Sequence, residues 1–104
     1  MYRQGDILII PTKSHNHGSE IERDNGRVVL AYGEVTGHAH AIAAPEATLY
    51  NLGDGSEASD RLLTALAPVI LRHEEHAPIN LPAGNYVIRR QREYTPEAVR
   101  YVAD

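Results

Sequence analysis

Glycine and proline interrupt this chain so often that its apolar runs are only four to eight residues long. Runs of that length are short for an amphipathic helix and suit β-strands. The first is Ile7-Leu8-Ile9-Ile10, entered through the turn-like Gln4-Gly5-Asp6 and ended by Pro11. Apolar at every position, it is predicted to lie buried on both faces. Lys13 to Arg27 is polar, with one alternating piece at Ile21-Glu22-Arg23, and it closes on Asp24-Asn25-Gly26-Arg27. Asn-Gly beside a β-branched run is a strong hairpin signal, because both central residues of such a turn take positive φ. The strand that follows is Val28-Val29-Leu30-Ala31-Tyr32.

Beyond Gly37, His38-Ala39-His40-Ala41-Ile42 alternates as an extended segment does, and Thr48-Leu49-Tyr50-Asn51-Leu52 is a further strand. Gly53 to Asp60 is polar and small, which predicts an exposed loop. Arg61 to Ala67 fits one helical turn or a strand, since Leu62, Leu63 and Leu66 serve either period; Pro68 ends it, and Val69-Ile70-Leu71 resumes a strand. Leu81-Pro82-Ala83-Gly84 suits a type I turn. It feeds Tyr86 to Arg92, whose polar end suggests an edge or a solvent-facing surface. A short helix is expected only at the C-terminus. There Thr95 can N-cap, Pro96 fits the first helical position, Glu97 suits the positive end of the dipole, and Ala98, Val99 and Val102 form an apolar stripe.

The expectation is therefore a mainly β chain, a small barrel or sandwich of about seven short strands with a short C-terminal helix. Its 104 residues make one domain, 1–104, with no repeat or linker. Phe and Trp are absent, so Val, Ile, Leu, Ala and Tyr must build the core. A core so poor in large aromatics is often completed by oligomerisation, and a homo-oligomer is expected. A formal net charge of −4 excludes the basic field that a general nucleic-acid or membrane-surface binder needs. Val35 to Pro45, the mid-chain stretch free of Asp, Glu, Lys and Arg, is too short and too rich in Gly and His to span a bilayer. The N-terminal residues show no signal-peptide pattern, which makes a cytoplasmic setting the expectation. Without cysteine there are no disulfides, zinc ribbons or thiol nucleophiles.

Six histidines fall as three local pairs: His15/His17, His38/His40 and His73/His76. On a strand, residues i and i+2 leave one face about 7 Å apart, since each residue rises about 3.3 Å. His38 and His40 so placed can converge on one metal ion, at about 2.0–2.1 Å from each nitrogen for zinc. Small Ala39 and Ala41 leave room, and Gly37 permits a bend. The competing view of this pair is a solvent-facing alternation. His73-Glu74-Glu75-His76 puts two histidines on one face if it turns, as Ala77-Pro78 suggests, whereas a continuing strand would pair His73 with Glu75 and send His76 to the opposite face; the competing view is a charged, solvated turn. The histidines are three apart, not four, so the zincin motif is not present. His38, His40, His73 and His76, or three of them plus water, form the candidate metal site, and an all-imidazole shell matches zinc, copper or iron. His15-Asn16-His17-Gly18 lies in a polar loop and is read as incidental. Arg89-Arg90-Gln91-Arg92 is either an anion or partner surface or a solvated face.

Four blocks carry a resemblance across nearly the whole chain: Arg3-Gln4-Gly5-Asp6, Gly33-Glu34-Val35-Thr36-Gly37-His38-Ala39-His40, His73-Glu74-Glu75-His76-Ala77-Pro78-Ile79 and Gln91-Arg92-Glu93-Tyr94. Together they resemble a family of small bacterial and phage-type proteins of about this length, most without an assigned activity. A looser resemblance is to cupins, small β-barrels with an H-x-H strand, a following Glu and a later His. Here Glu46 follows His40 at six residues and Pro82-Ala83-Gly84 resembles the cupin turn, but no His follows it. That departure leaves a cupin-like barrel without the cupin metal shell.

Imidazoles and carboxylates without any organic-cofactor fingerprint point to metal-activated water. Zinc with an open position lowers the pKa of bound water to about 7, and Glu75, or alternatively Glu74 or Glu34, can orient it or act as general base. The expected function is thus a divalent-metal enzyme, zinc favoured, for hydration or hydrolysis of a small-molecule substrate; carbon dioxide hydration is the simplest example. The alternatives are copper or iron redox chemistry, a closed structural metal, or no metal with the Arg89–Arg92 segment as the binding surface.

Overall fold

The turn-bounded apolar runs all fold as strands. In a computed structural model, residues 1–33, 36–55, 59–94 and 99–101 are described, and for 92–94 and 99–101 the backbone alone. The strands among them are β1 (Tyr2–Gln4), β2 (Ile7–Thr12), β3 (Val28–Tyr32), β4 (Ala39–Ile42), β5 (Ala47–Asn51), β6 (Arg61–Ala65), β7 (Val69–Leu71), β8 (Ile79–Leu81), β9 (Gly84–Arg90), β10 (Arg92–Tyr94) and β11 (Val99–Tyr101). Five form one antiparallel sheet in the order β1-β2-β9-β6-β5, and the others pair as the hairpins β3-β4, β7-β8 and β10-β11. Ala41 and Arg72 exchange two backbone hydrogen bonds of 2.9 Å, which lays β4 alongside the end of β7.

The core lies between the five-stranded sheet and the two hairpins joined by that bridge. Pairing on the sheet places Ile9 opposite Ile88, Tyr86 opposite Leu63, and Leu63 opposite Leu49 on one face. Leu30, Ile42, Leu71 and Leu81 meet this face from the hairpins, all at 2 % exposure or less. Burial of side chains of this size contributes about 1.5–3 kcal/mol each. The arrangement is sandwich-like, and the described strands do not close into a barrel.

Several expectations are corrected. Ile7 and Ile9 are buried but Leu8 and Ile10 only half-buried, because one face of β2 meets the core and the other is thinly covered. The segment that fitted helix or strand is a strand, β6, in which the consecutive Leu62 and Leu63 are both buried. The strands exceed the expected number because β1, β8, β10 and β11 have three residues each, too few for a visible period. Of the expected C-terminal helix, Thr95, Pro96, Glu97, Ala98 and Val102 lie outside the described residues. Val99 is in strand β11, paired with Tyr94, rather than on a helical stripe.

The Asn-Gly turn forms, with φ of 57° at Asn25 and 80° at Gly26, and Asp24 and Arg27 exchange backbone bonds of 2.9 and 3.1 Å across it. Only its downstream side continues into a strand. Gly26→Ala should cost about 1–2 kcal/mol, the penalty of a Cβ in left-handed backbone, read as a lower urea midpoint at unchanged slope.

Tyr86 supplies a pH dependence. It is 4 % exposed, its hydroxyl donates to Pro82 O, and burial, with Tyr2 adding, raises its pKa above the ordinary 10.0. The neutral phenol is favoured by folding, so this contribution is complete below pH 10.0 and is lost as pH rises through the raised value. Thermal melts from about pH 9 to 11 should fall more steeply for the parent protein than for Tyr86→Phe.

Candidate metal centre

The bridge between Ala41 and Arg72 sets the phase of the histidine segments. Counting back from it along antiparallel chains brings His40 beside His73, and Ala39 beside Glu74. Gly37, at φ 87°, and the bond from Gly33 N to His38 O (2.8 Å) turn the chain into β4 just before this point. Four rings therefore gather. His40 and His73 have centroids 4.3 Å apart, His38 and His73 5.5 Å, and His73 and His76 4.8 Å; His40 and His76 are 6.2 Å apart. The two pairs that spacing singled out meet in space.

Their nitrogens are not equally available. Gln4 donates from Nε2 to the carbonyls of Leu71 (3.2 Å) and Ala77 (3.0 Å), which orients its Oε1 to accept from His40 Nδ1 at 2.9 Å. The other nitrogen, Nε2, faces Asp6 Oδ1 at 3.4 Å, and both side chains are fully buried. Asp6 Oδ2 accepts from Arg90 Nε at 2.7 Å, and Arg90 also donates to Tyr32 O. His40 is thus built into a buried polar chain running from Gln4 to Arg90, its Nδ1 bonded to Gln4 and its Nε2 facing Asp6. The roles of Gln4 and Asp6 were missed in the sequence; a Gln before, and an Asp within, the two-residue turn Gly5-Asp6 that leads into an apolar strand were the available signal.

Ligand atoms of His38, His73 and Glu74 lie within 4.8 Å of one another. Glu74 Oε1 accepts from Ala39 N at 2.8 Å. That bond foremost, then Glu74's own N–H, and the nearby His73 and His38, hold its carboxyl below the ordinary carboxylate value of 4.5. Buried His38 Nδ1 and His76 Nε2 have no hydrogen-bond partner among the described residues. His73 Nδ1 accepts from Glu75 N at 3.0 Å, so Glu75 contributes its backbone, and its side chain is exposed. Glu34 lies outside the described residues.

The remaining candidates are elsewhere. His15 sits on the surface with Nδ1 2.8 Å from Asn85 Nδ2, and His17 stacks on Tyr50 at 3.7 Å. Arg89 grips Asp60 at 2.7 Å and Arg90 is committed to Asp6, so neither presents a free cationic surface.

A family model described as a domain of unknown function, DUF8820, matches residues 3–91. The chain belongs to this family. No curated protein and no solved structure matches it. The DUF8820 span takes in the whole polar chain from Gln4 to Arg90 and all four clustered histidines, and it ends within the Gln91-Arg92-Glu93-Tyr94 block. Among the described residues of this DUF8820 member, no helix is long and apolar enough to cross a membrane.

Proposed function

We propose that the domain binds one divalent metal ion through His38, His73 and Glu74 and uses it to activate water for hydration or hydrolysis of a small molecule. The observation that carries this reading is the convergence of three ligand atoms within 4.8 Å, drawn from two chain segments that a backbone bridge clamps together. Donors at about 2.0–2.1 Å from a tetrahedral zinc lie about 3.4 Å apart, so side-chain rotation must close the remaining distance. Two imidazoles and a carboxylate with an open position are the donor set of hydrolytic zinc sites, in which bound water has a pKa of about 7. Glu75, exposed and adjacent in sequence to Glu74, is the general base of this proposal. His76 would close the shell if it became a fourth ligand, and the metal would then be structural.

Elemental analysis of protein purified without a histidine tag should give one equivalent of metal per chain. Less than about a tenth of an equivalent overturns the proposal, given the affinities typical of zinc sites. Binding at either nitrogen of His73 must also displace the Glu75 N–H from Nδ1, so the Glu75 amide resonance should shift strongly on loading. Carbon dioxide hydration is the first activity to assay, and Glu75→Gln should lower the rate while keeping the metal.

The same donor set favours one second reading, because two histidines and one carboxylate are also the facial triad of non-haem ferrous oxygenases. Iron in the elemental analysis, with a paramagnetic signal, decides for it; a colourless zinc protein decides against it.

A further inference from the structure

A groove of about 240 Å³ adjoins the cluster, and it is lined by Ala39, Ala41, Ala43, Arg27 and Arg72 together with His73 and Glu74. It is smaller than the roughly 300–1,000 Å³ of drug-sized sites, which sets the scale of what it can hold. Its two arginines stand apart from most of the other described arginines. Arg23 and Arg61 donate to backbone carbonyls, Arg89 pairs with Asp60 and Arg90 with Asp6. Arg27 and Arg72 have no acid partner among the described residues, although the protein carries a net charge of −4. Arg3 is also exposed without one, but it does not line this groove. The remaining charge in the groove is the carboxylate of Glu74, and a bound cation would neutralise it. Three alanines supply a short apolar surface between the charges.

We infer that the groove receives a small organic carboxylate, held at its charged end by Arg27 and Arg72 and along its apolar body by Ala39, Ala41 and Ala43. As a substrate class for the centre, this rests on the metal-site reading above. Guanidinium groups match carboxylates in geometry and charge, whereas the alanine surface has nothing to offer an inorganic anion. The reactive part of the molecule would then lie toward His73 and Glu74, which share the same groove.

The test titrates the whole protein, zinc-loaded and chelator-treated, with butyrate, neutral butyramide and inorganic phosphate, followed by amide chemical shifts. Butyrate should bind at least about tenfold more tightly than butyramide, since the charge-assisted bonds are lost with the amide. Arg27→Gln and Arg72→Gln should each weaken butyrate about tenfold or more while leaving metal content at the parent level. Ala43→Glu, at an exposed position, is a second variant that should block butyrate by like charge. Equal binding of butyrate and butyramide, or parent-like binding by both arginine variants, overturns the inference. Phosphate binding as tight as butyrate replaces the carboxylate with an inorganic oxyanion and overturns it as well. A protein that carries zinc but does not bind butyrate removes this inference alone. One that binds butyrate through Arg27 and Arg72 but never retains metal removes the metal-site reading and, with it, the substrate assignment, and leaves a carboxylate-binding groove.

Discussion

Asp6→Ala is expected to destabilise the protein by about 3–5 kcal/mol, the usual cost of removing one partner from a buried ion pair. Asp6 is fully buried and joins two elements: Oδ2 receives Arg90 Nε from β9 at 2.7 Å, and Oδ1 faces His40 Nε2 from β4 at 3.4 Å. Without the carboxylate, Arg90, whose side chain is 14 % exposed, keeps its bond to Tyr32 O but loses its counter-charge. His40 keeps Gln4 but faces an apolar methyl. The loss is a large share of the 5–15 kcal/mol that stabilises an ordinary domain, so part of the population should be unfolded at 37 °C. Urea unfolding should show a much lower midpoint at unchanged slope. Asp6→Asn should lie between, because an amide oxygen can still accept from Arg90 while the charge is gone. A shift below about 1 kcal/mol for Asp6→Ala would mean that water reaches the pair and that the chain from Gln4 to Arg90 does not hold the layers together.

That network also explains what could be read from the sequence and what could not. Ile7–Ile10, Val28–Tyr32 and Val69–Leu71 were legible as strands because Gly, Pro or Asn-Gly bounds them and their β-branched residues leave little alternative. Arg61–Ala65 was not, because Leu62 and Leu63 side by side break a two-residue period, and both are buried in β6. The histidine pairs were legible from spacing. That His40 Nδ1 is bonded to Gln4 was not, since Gln4 lies 36 residues from His40 in the sequence and sits on β1 of the β1–β2 hairpin. That Glu74 rather than Glu75 lies near His38 and His73 depends on one residue of phase, and the Ala41–Arg72 bridge sets that phase by tertiary pairing.

The proposed division between ligand and scaffold gives the second large effect. His38→Ala and Glu74→Gln should each lower metal affinity by more than about a hundredfold, beyond the 10–100-fold that loss of an outer-shell partner costs. Metal-free stability should move by no more than about 0.5 kcal/mol, because His38 is only half-buried and Glu74 is exposed. His40→Ala should do the reverse in origin: it removes a fully buried ring that Gln4 and Asp6 both contact, so the metal-free protein itself should unfold at far lower urea. The acid limb separates the roles again. A carboxyl whose pKa folding lowers contributes stability that is full above about pH 4.5 and is lost as pH falls through the folded value, and Glu74→Gln should abolish that small slope. Competition titration with a chromophoric chelator, run beside urea melts of the metal-free variants, places each residue on one axis or the other. If His40→Ala kept its fold and lost its metal as His38→Ala does, His40 would be a ligand through Nε2, and its Nδ1 bond to Gln4 would be the orienting contact of a metal-bound imidazole.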